Sequence, residues 1–123
     1  MILVDTSVWI EHLRRSDEVL VQLLASGQVL VHPFVIGELA LGNLQNRRAV
    51  LGALQDLPQA PVATHNEVFR FIDTNALFGI GIGYIDAHLL AAVRLLPGAM
   101  LWTRDKRLLA ASTRLDLAQI AAH

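Results

Sequence analysis

Three short apolar runs, Ile2-Leu3-Val4, Val29-Leu30-Val31 and Ala99-Met100-Leu101-Trp102, constrain this chain more than any other feature. Each is too short for a helix and carries no polar alternation, so each reads as a strand buried on both faces. Between them, apolar residues recur at helical spacing. That spacing predicts helices over Val8–Leu13, Glu18–Ala25, from Pro33 to about Leu44, Arg47–Leu57, His65–Phe78, Tyr84–Leu96 and Lys106–Ala111, with stops at Ser26-Gly27, Pro58 and Pro97-Gly98. Pro61-Val62-Ala63 reads as a weak further strand, and the tail near Leu115–Ile120 as a last one. Strands alternating with helices imply βαβ units and a parallel sheet covered on both faces.

The 123 residues fit one domain, expected to span 1–123, and 54% hydrophobic content is ample for a core. The absence of cysteine excludes a disulfide scaffold and a thiolate zinc site. A net charge of −1 offers no global basic field. Mean hydropathy is high, +0.46. Yet the longest stretch free of charged residues, Val19 to Gly37, is broken by Gln22, Ser26-Gly27-Gln28 and His32-Pro33. It is too interrupted to span a bilayer. No basic n-region precedes Ile2-Leu3-Val4, so a cytoplasmic protein with no membrane segment is expected.

Ligands of open parallel sheets gather at the carboxyl ends of the strands. Asp5 and Asp105 follow the first and the Ala99–Trp102 strands, Asp86 lies in the first turn of a helix, and Glu38 lies on a mostly apolar one. Each aspartate also suits a helix cap or the helix dipole, and Glu38 suits an exposed position on an amphipathic helix. Together, four acids without a neighbouring cysteine or histidine ligand suit a hard cation, Mg²⁺ or Mn²⁺, rather than zinc. His88, two residues from Asp86, is expected to be partly exposed. Gly79-Ile80-Gly81-Ile82-Gly83 lacks the spacing of a nucleotide fingerprint and reads as a loop before a helix.

Val4-Asp5-Thr6-Ser7, Val35-Ile36-Gly37-Glu38-Leu39, Tyr84-Ile85-Asp86-Ala87-His88 and Leu101-Trp102-Thr103-Arg104-Asp105 resemble, in order and spacing, the four acidic motifs of PIN-domain nucleases. The resemblance is to the small VapC-type toxins of type II toxin–antitoxin pairs, and it covers nearly the whole chain. It implies an α/β three-layer sandwich, with a parallel sheet flanked by helices on both faces. It also implies a Mg²⁺-dependent endoribonuclease. By that resemblance Asp5 and Asp86 are the main metal ligands, Glu38 and Asp105 support them, and Thr6, Ser7 and Thr103 hold the site by hydrogen bonds. RNA as substrate, a cognate antitoxin and a homodimer are implied in the same way. The apolar content independently favours a protein–protein interface.

Arg14, Arg15, Arg47, Arg48, Arg104, Lys106 and Arg107 hold seven of the ten cations and follow elements that carry the acids. They are candidates for gripping phosphates at the rim of a cleft, or else are solvated helix ends. Two other readings compete with the enzyme. A receiver-like phospho-acceptor domain would need paired acids after the first strand, an aspartate after the third and a late lysine. Only Asp5 follows the first strand here, Thr64-His65 follows Val62-Ala63, and the sole lysine is Lys106. A catalytically silent PIN-like module would keep the fold and bind a partner only.

Overall fold

A computed structural model describes residues 1–119. Its elements run β1 (Ile2–Val4), α1 (Thr6–Arg14), α2 (Glu18–Ala25), β2 (Val29–Leu30), α3 (Pro33–Ala40), α4 (Arg47–Gln55), α5 (His65–Thr74), α6 (Tyr84–Arg94), β3 (Met100–Trp102) and α7 (Lys106–Arg114). The strands form one parallel sheet in the order β2-β1-β3, with Leu3 facing Leu30 on one side and Leu101 on the other. The chain thus adds β2 to one edge of β1 and crosses to the other edge for β3. The reversal puts a switch point at the carboxyl ends of β1 and β3, where doubly wound sheets place their crevice.

Leu3, Val4, Leu101 and Trp102 are buried, so both faces of these strands are covered. Helix α6 is buried from Ala87 to Val93 and packs on β3, which makes it the central helix of the core. The helices begin where their caps dictate. Asp17 accepts from the Leu20 amide at 3.1 Å, and Thr64 and Glu67 form a reciprocal capping box on α5. His32 caps α3 ahead of Pro33, its Nδ1 accepting from the Phe34 amide at 3.0 Å.

Several boundaries differ from the sequence reading. No strand forms at Pro61-Val62-Ala63; the sheet instead gains a single bridge between Val31 and Gln59. The Val31 amide donates to Pro58 O and the Ala60 amide to Val31 O. Pro61 has no N–H to extend that ladder. Helix α3 stops at Ala40 rather than near Leu44, because the Arg47 guanidinium binds the exposed Ala40 carbonyl. Helix α5 stops at Thr74 rather than Phe78, because Ala76 turns into the left-handed region at φ 51°. Helix α7 continues three residues beyond Ala111 to Arg114. The expected last strand is reduced to one bridge, Leu101 to Ala118, and Ile120 lies outside the described residues.

Candidate metal centre at the switch point

Asp5 is the residue after β1 and is 5% exposed. A carboxylate so buried is costly unless hydrogen bonds compensate. Its Oδ2 takes them all: the Ser7 hydroxyl donates at 2.6 Å, the Thr103 hydroxyl at 2.7 Å and the Ser7 amide at 3.4 Å. Thr103 in turn accepts from the Asp105 amide at 3.0 Å, and Ser7 Oγ from the Arg104 amide at 3.0 Å. The turns after β1 and β3 are thereby stitched together, and Asp5 Oδ1 is left without a hydrogen bond among the described residues.

The other acids repeat that economy. Thr6 Oγ1 donates to Oε1 of Glu38 at 2.7 Å, leaving Oε2. The Gly83 amide donates to Oδ2 of Asp86 at 3.0 Å, leaving Oδ1. Asp105 caps α7 with Oδ1, which accepts from the amides of Arg107 and Leu108, leaving Oδ2. Each acid uses one oxygen for the fold and keeps the other, so capping and ligand roles are compatible in one side chain. Glu38 is exposed, as a position on an amphipathic helix allows, and so carries no cost of burial.

The four acids come together electrostatically. Burial pushes the Asp86 carboxyl above the usual range; the Gly83 amide opposes this, and the charges of Asp5, Asp105 and Glu38 add to it. Among the described residues no ion pair neutralises any of them; the one ion pair joins Arg104 to Asp17 at 2.8 Å. Nor do any three acid or histidine side chains there close into a ready-made coordination sphere. An all-oxygen, net-negative and open donor set fits a hard divalent cation that keeps part of its water shell and takes only one or two carboxylates directly.

The basic residues divide. Arg47 is occupied by Ala40 O and Arg104 by Asp17, an acid that sequence reasoning passes over although it caps α2. Arg107 lies over the glycine loop before α6. A Cβ on Gly81, at φ +84°, would sit 2.7 Å from its Nη1. Arg14, Arg15, Arg48 and Lys106 are exposed.

His88 is buried at 4% exposure rather than partly exposed, because Phe34 and Tyr84 rings close on it with centroids at 4.7 Å each. Sequence reasoning misses this ring row. The recoverable signal is the spacing of Tyr84 and His88, one helical turn apart.

Residues 2–113 match the model of the PIN-domain family. Ribonuclease VapC32 of Mycobacterium tuberculosis strains H37Rv and CDC 1551 is 57% identical over 111 residues, 90% of this chain and 90% of that protein. Among solved structures, PAE2754 from Pyrobaculum aerophilum shares the fold with a TM-score of 0.67 at 18% identity, over 96% of this chain and 87% of that one. FitAcB from Neisseria gonorrhoeae does so with 0.64 at 21%, over 99% and 98%. The matched span encloses β1, β3 and all four acids, and by fold and sequence the chain belongs to the PIN-domain family, among the VapC-type ribonucleases.

Proposed function

We propose that this chain is the toxin of a type II toxin–antitoxin pair, a Mg²⁺-dependent endoribonuclease that hydrolyses RNA phosphodiester bonds and is restrained by a cognate antitoxin. The observation that carries this reading is Asp5: buried at the switch point, fixed through one oxygen by donors from two strand ends, and electrostatically joined to Asp86 without a cation partner among the described residues. Ribonuclease VapC32, so similar over nearly the whole length, carries its activity in its name.

In this reading Asp5 and Asp86 hold the ion, with Glu38 and Asp105 supporting directly or through water; Mn²⁺ would fit the same oxygens. A bound divalent cation supplies a water of lowered pKa and neutralises charge developing on the phosphate. Ser7 and Thr103 keep Asp5 from turning, so its free oxygen is presented in one direction. Thr6 does the same for Glu38, which stands exposed and able to orient an attacking water. Asp105 Oδ2 lies at the mouth of α7. Arg14, Arg15, Arg48, Lys106 and Arg107 are the cations available to grip flanking phosphates, whereas Arg47 and Arg104 serve the fold. No covalent protein nucleophile is needed.

A restraining partner and a homodimer both suit the surface, where Leu41 is 90% and Phe78 67% exposed. Among the described residues no helix is long and apolar enough to cross a membrane; the likeness to ribonuclease VapC32 is what supports a place in the cytoplasm. The test is RNA cleavage with Mg²⁺ and with EDTA. Wild type should cleave only with metal, and Asp5→Asn and Asp86→Asn should not cleave. Undiminished cleavage by either variant, in protein free of contaminating nuclease, would sink the reading. A metal-independent lack of cleavage by wild type would favour the silent module.

A further inference from the structure

We propose that the exposed rings of Phe69, Tyr84 and His65 form a stacking platform for unpaired RNA bases beside the acid cluster. The proposal rests on the ribonuclease reading and names how its substrate is held. Phe69 is 54% and Tyr84 43% exposed, and His65 is exposed as well. His65 and Phe69 are one turn apart on α5, with ring centroids at 4.2 Å, and Tyr84 closes the group at 5.8 Å from His65 and 6.5 Å from Phe69. The Tyr84 hydroxyl and His65 Nδ1 share a 2.7 Å hydrogen bond. That bond uses the Tyr84 hydroxyl and one of the two His65 ring nitrogens and helps hold the rings as surfaces.

Behind the platform the row continues into the protein. Tyr84 meets His88, and His88 meets Phe34, which stands one turn before Glu38 on α3. At its outer end Tyr84 opens the same helical turn that carries Asp86. The row thus shares α6 with Asp86 and α3 with Glu38, and in this proposal a strand with a phosphate at those acids passes its neighbouring bases over the rings. Electrostatics supplies the need. A chain of net charge −1 with four clustered carboxylates attracts a polyanion weakly, so uncharged attraction has to contribute. Stacking on aromatic side chains is tolerant of sequence, because every base has a π-face, and it needs no charge on the protein.

The test measures binding of a short single-stranded RNA, and of a matched oligomer with base-less nucleotides, by fluorescence anisotropy in EDTA. Wild type should prefer the RNA with bases. Phe69→Ala should weaken binding by about 5- to 150-fold, the equivalent of about 1–3 kcal/mol per stacked base, at low and high salt alike. It should also abolish the preference. Phe69→Trp should restore affinity, and its added fluorescence should quench on RNA. Equal affinity of wild type for both oligomers would overturn the platform, as would unchanged affinity of Phe69→Ala. So would a Phe69→Ala protein altered only in sedimentation, which would make the rings a contact between copies. Wild type that cleaves RNA yet ignores the missing bases would lose the platform and keep the ribonuclease. Base preference without metal-dependent cleavage would do the reverse.

Discussion

Mild acid should weaken this protein through His32, a residue outside the acid cluster. His32 is fully buried, its Nδ1 accepts from the Phe34 amide, and its Nε2 has no partner among the described residues. Burial first, and then the nearby His88, hold its pKa down at about 4 from the ordinary 6.5. Protonation would also remove the acceptor that caps α3. Between those two values the unfolded chain binds the proton and the folded chain does not. Stability is unaffected above 6.5, falls as pH drops through the window, and stops falling below about 4. With these values the loss between about pH 7.5 and about pH 5 is roughly 2 kcal/mol, a large share of a stability of roughly 5–15 kcal/mol. His88, also held down by burial and by His65, acts in the same direction. Asp86, pushed up, acts in the opposite one. Urea unfolding at both pH values, followed by tryptophan fluorescence, measures the change. His32→Asn keeps a capping acceptor and cannot titrate, so it should cost stability at neutral pH yet lose most of the pH dependence. An unchanged dependence in that variant would refute the assignment to His32.

Asp86→Asn keeps an acceptor for the Gly83 amide and removes one clustered charge, so in EDTA it should melt at or above the wild-type temperature. As pH falls through the raised pKa of Asp86, wild type should recover that deficit, since there the folded state binds the extra proton. Mg²⁺ should stabilise wild type and do much less for the variant, as thermal melts would report. Gly81→Ala meets both a left-handed backbone and the Arg107 side chain, and should destabilise by about 1–3 kcal/mol in denaturant titration. Replacing Lys106 and Arg107 by Gln should flatten the salt dependence of RNA binding by roughly one unit of slope for each phosphate no longer gripped. Arg104→Gln, freed only from Asp17, should leave that slope unchanged.

The legible parts of this fold are those governed by short-range rules. Short apolar runs and helical spacing locate β1, β2, β3 and the helices between them, and glycine or proline marks most of their ends. Asp5 alone reads equally well as the cap of α1, and it is legible as a candidate only beside Glu38, Asp86 and Asp105 in order and spacing. Long-range pairing is not legible. The partner of Val31 is Gln59, two residues before the expected strand, since proline fixes which amides are available. Nothing local to Arg104 announces Asp17, which lies 87 residues away. His88 escapes the pattern because its helix is covered on the side that a single amphipathic face would leave wet. Asp5, Asp86 and Asp105 do not have to choose between cap and ligand, because a carboxylate has two oxygens.

The hydroxyl clasp on Asp5 joins parts of the chain made far apart in time. Thr103 donates to Asp5 across 98 residues, and β3 completes the second neighbour of β1. Synthesis runs from the amino terminus, so Asp5 emerges long before Thr103 or Asp105 exists. Until they arrive, β1 has β2 alone beside it, the carboxylate has only Ser7 to donate to it, and the acid cluster lacks a member. A growing chain in which β3 has not yet been made is therefore without the clasp that fixes Asp5. Chains that stop short of β3 should lack the clasp and the full acid cluster for the same reason.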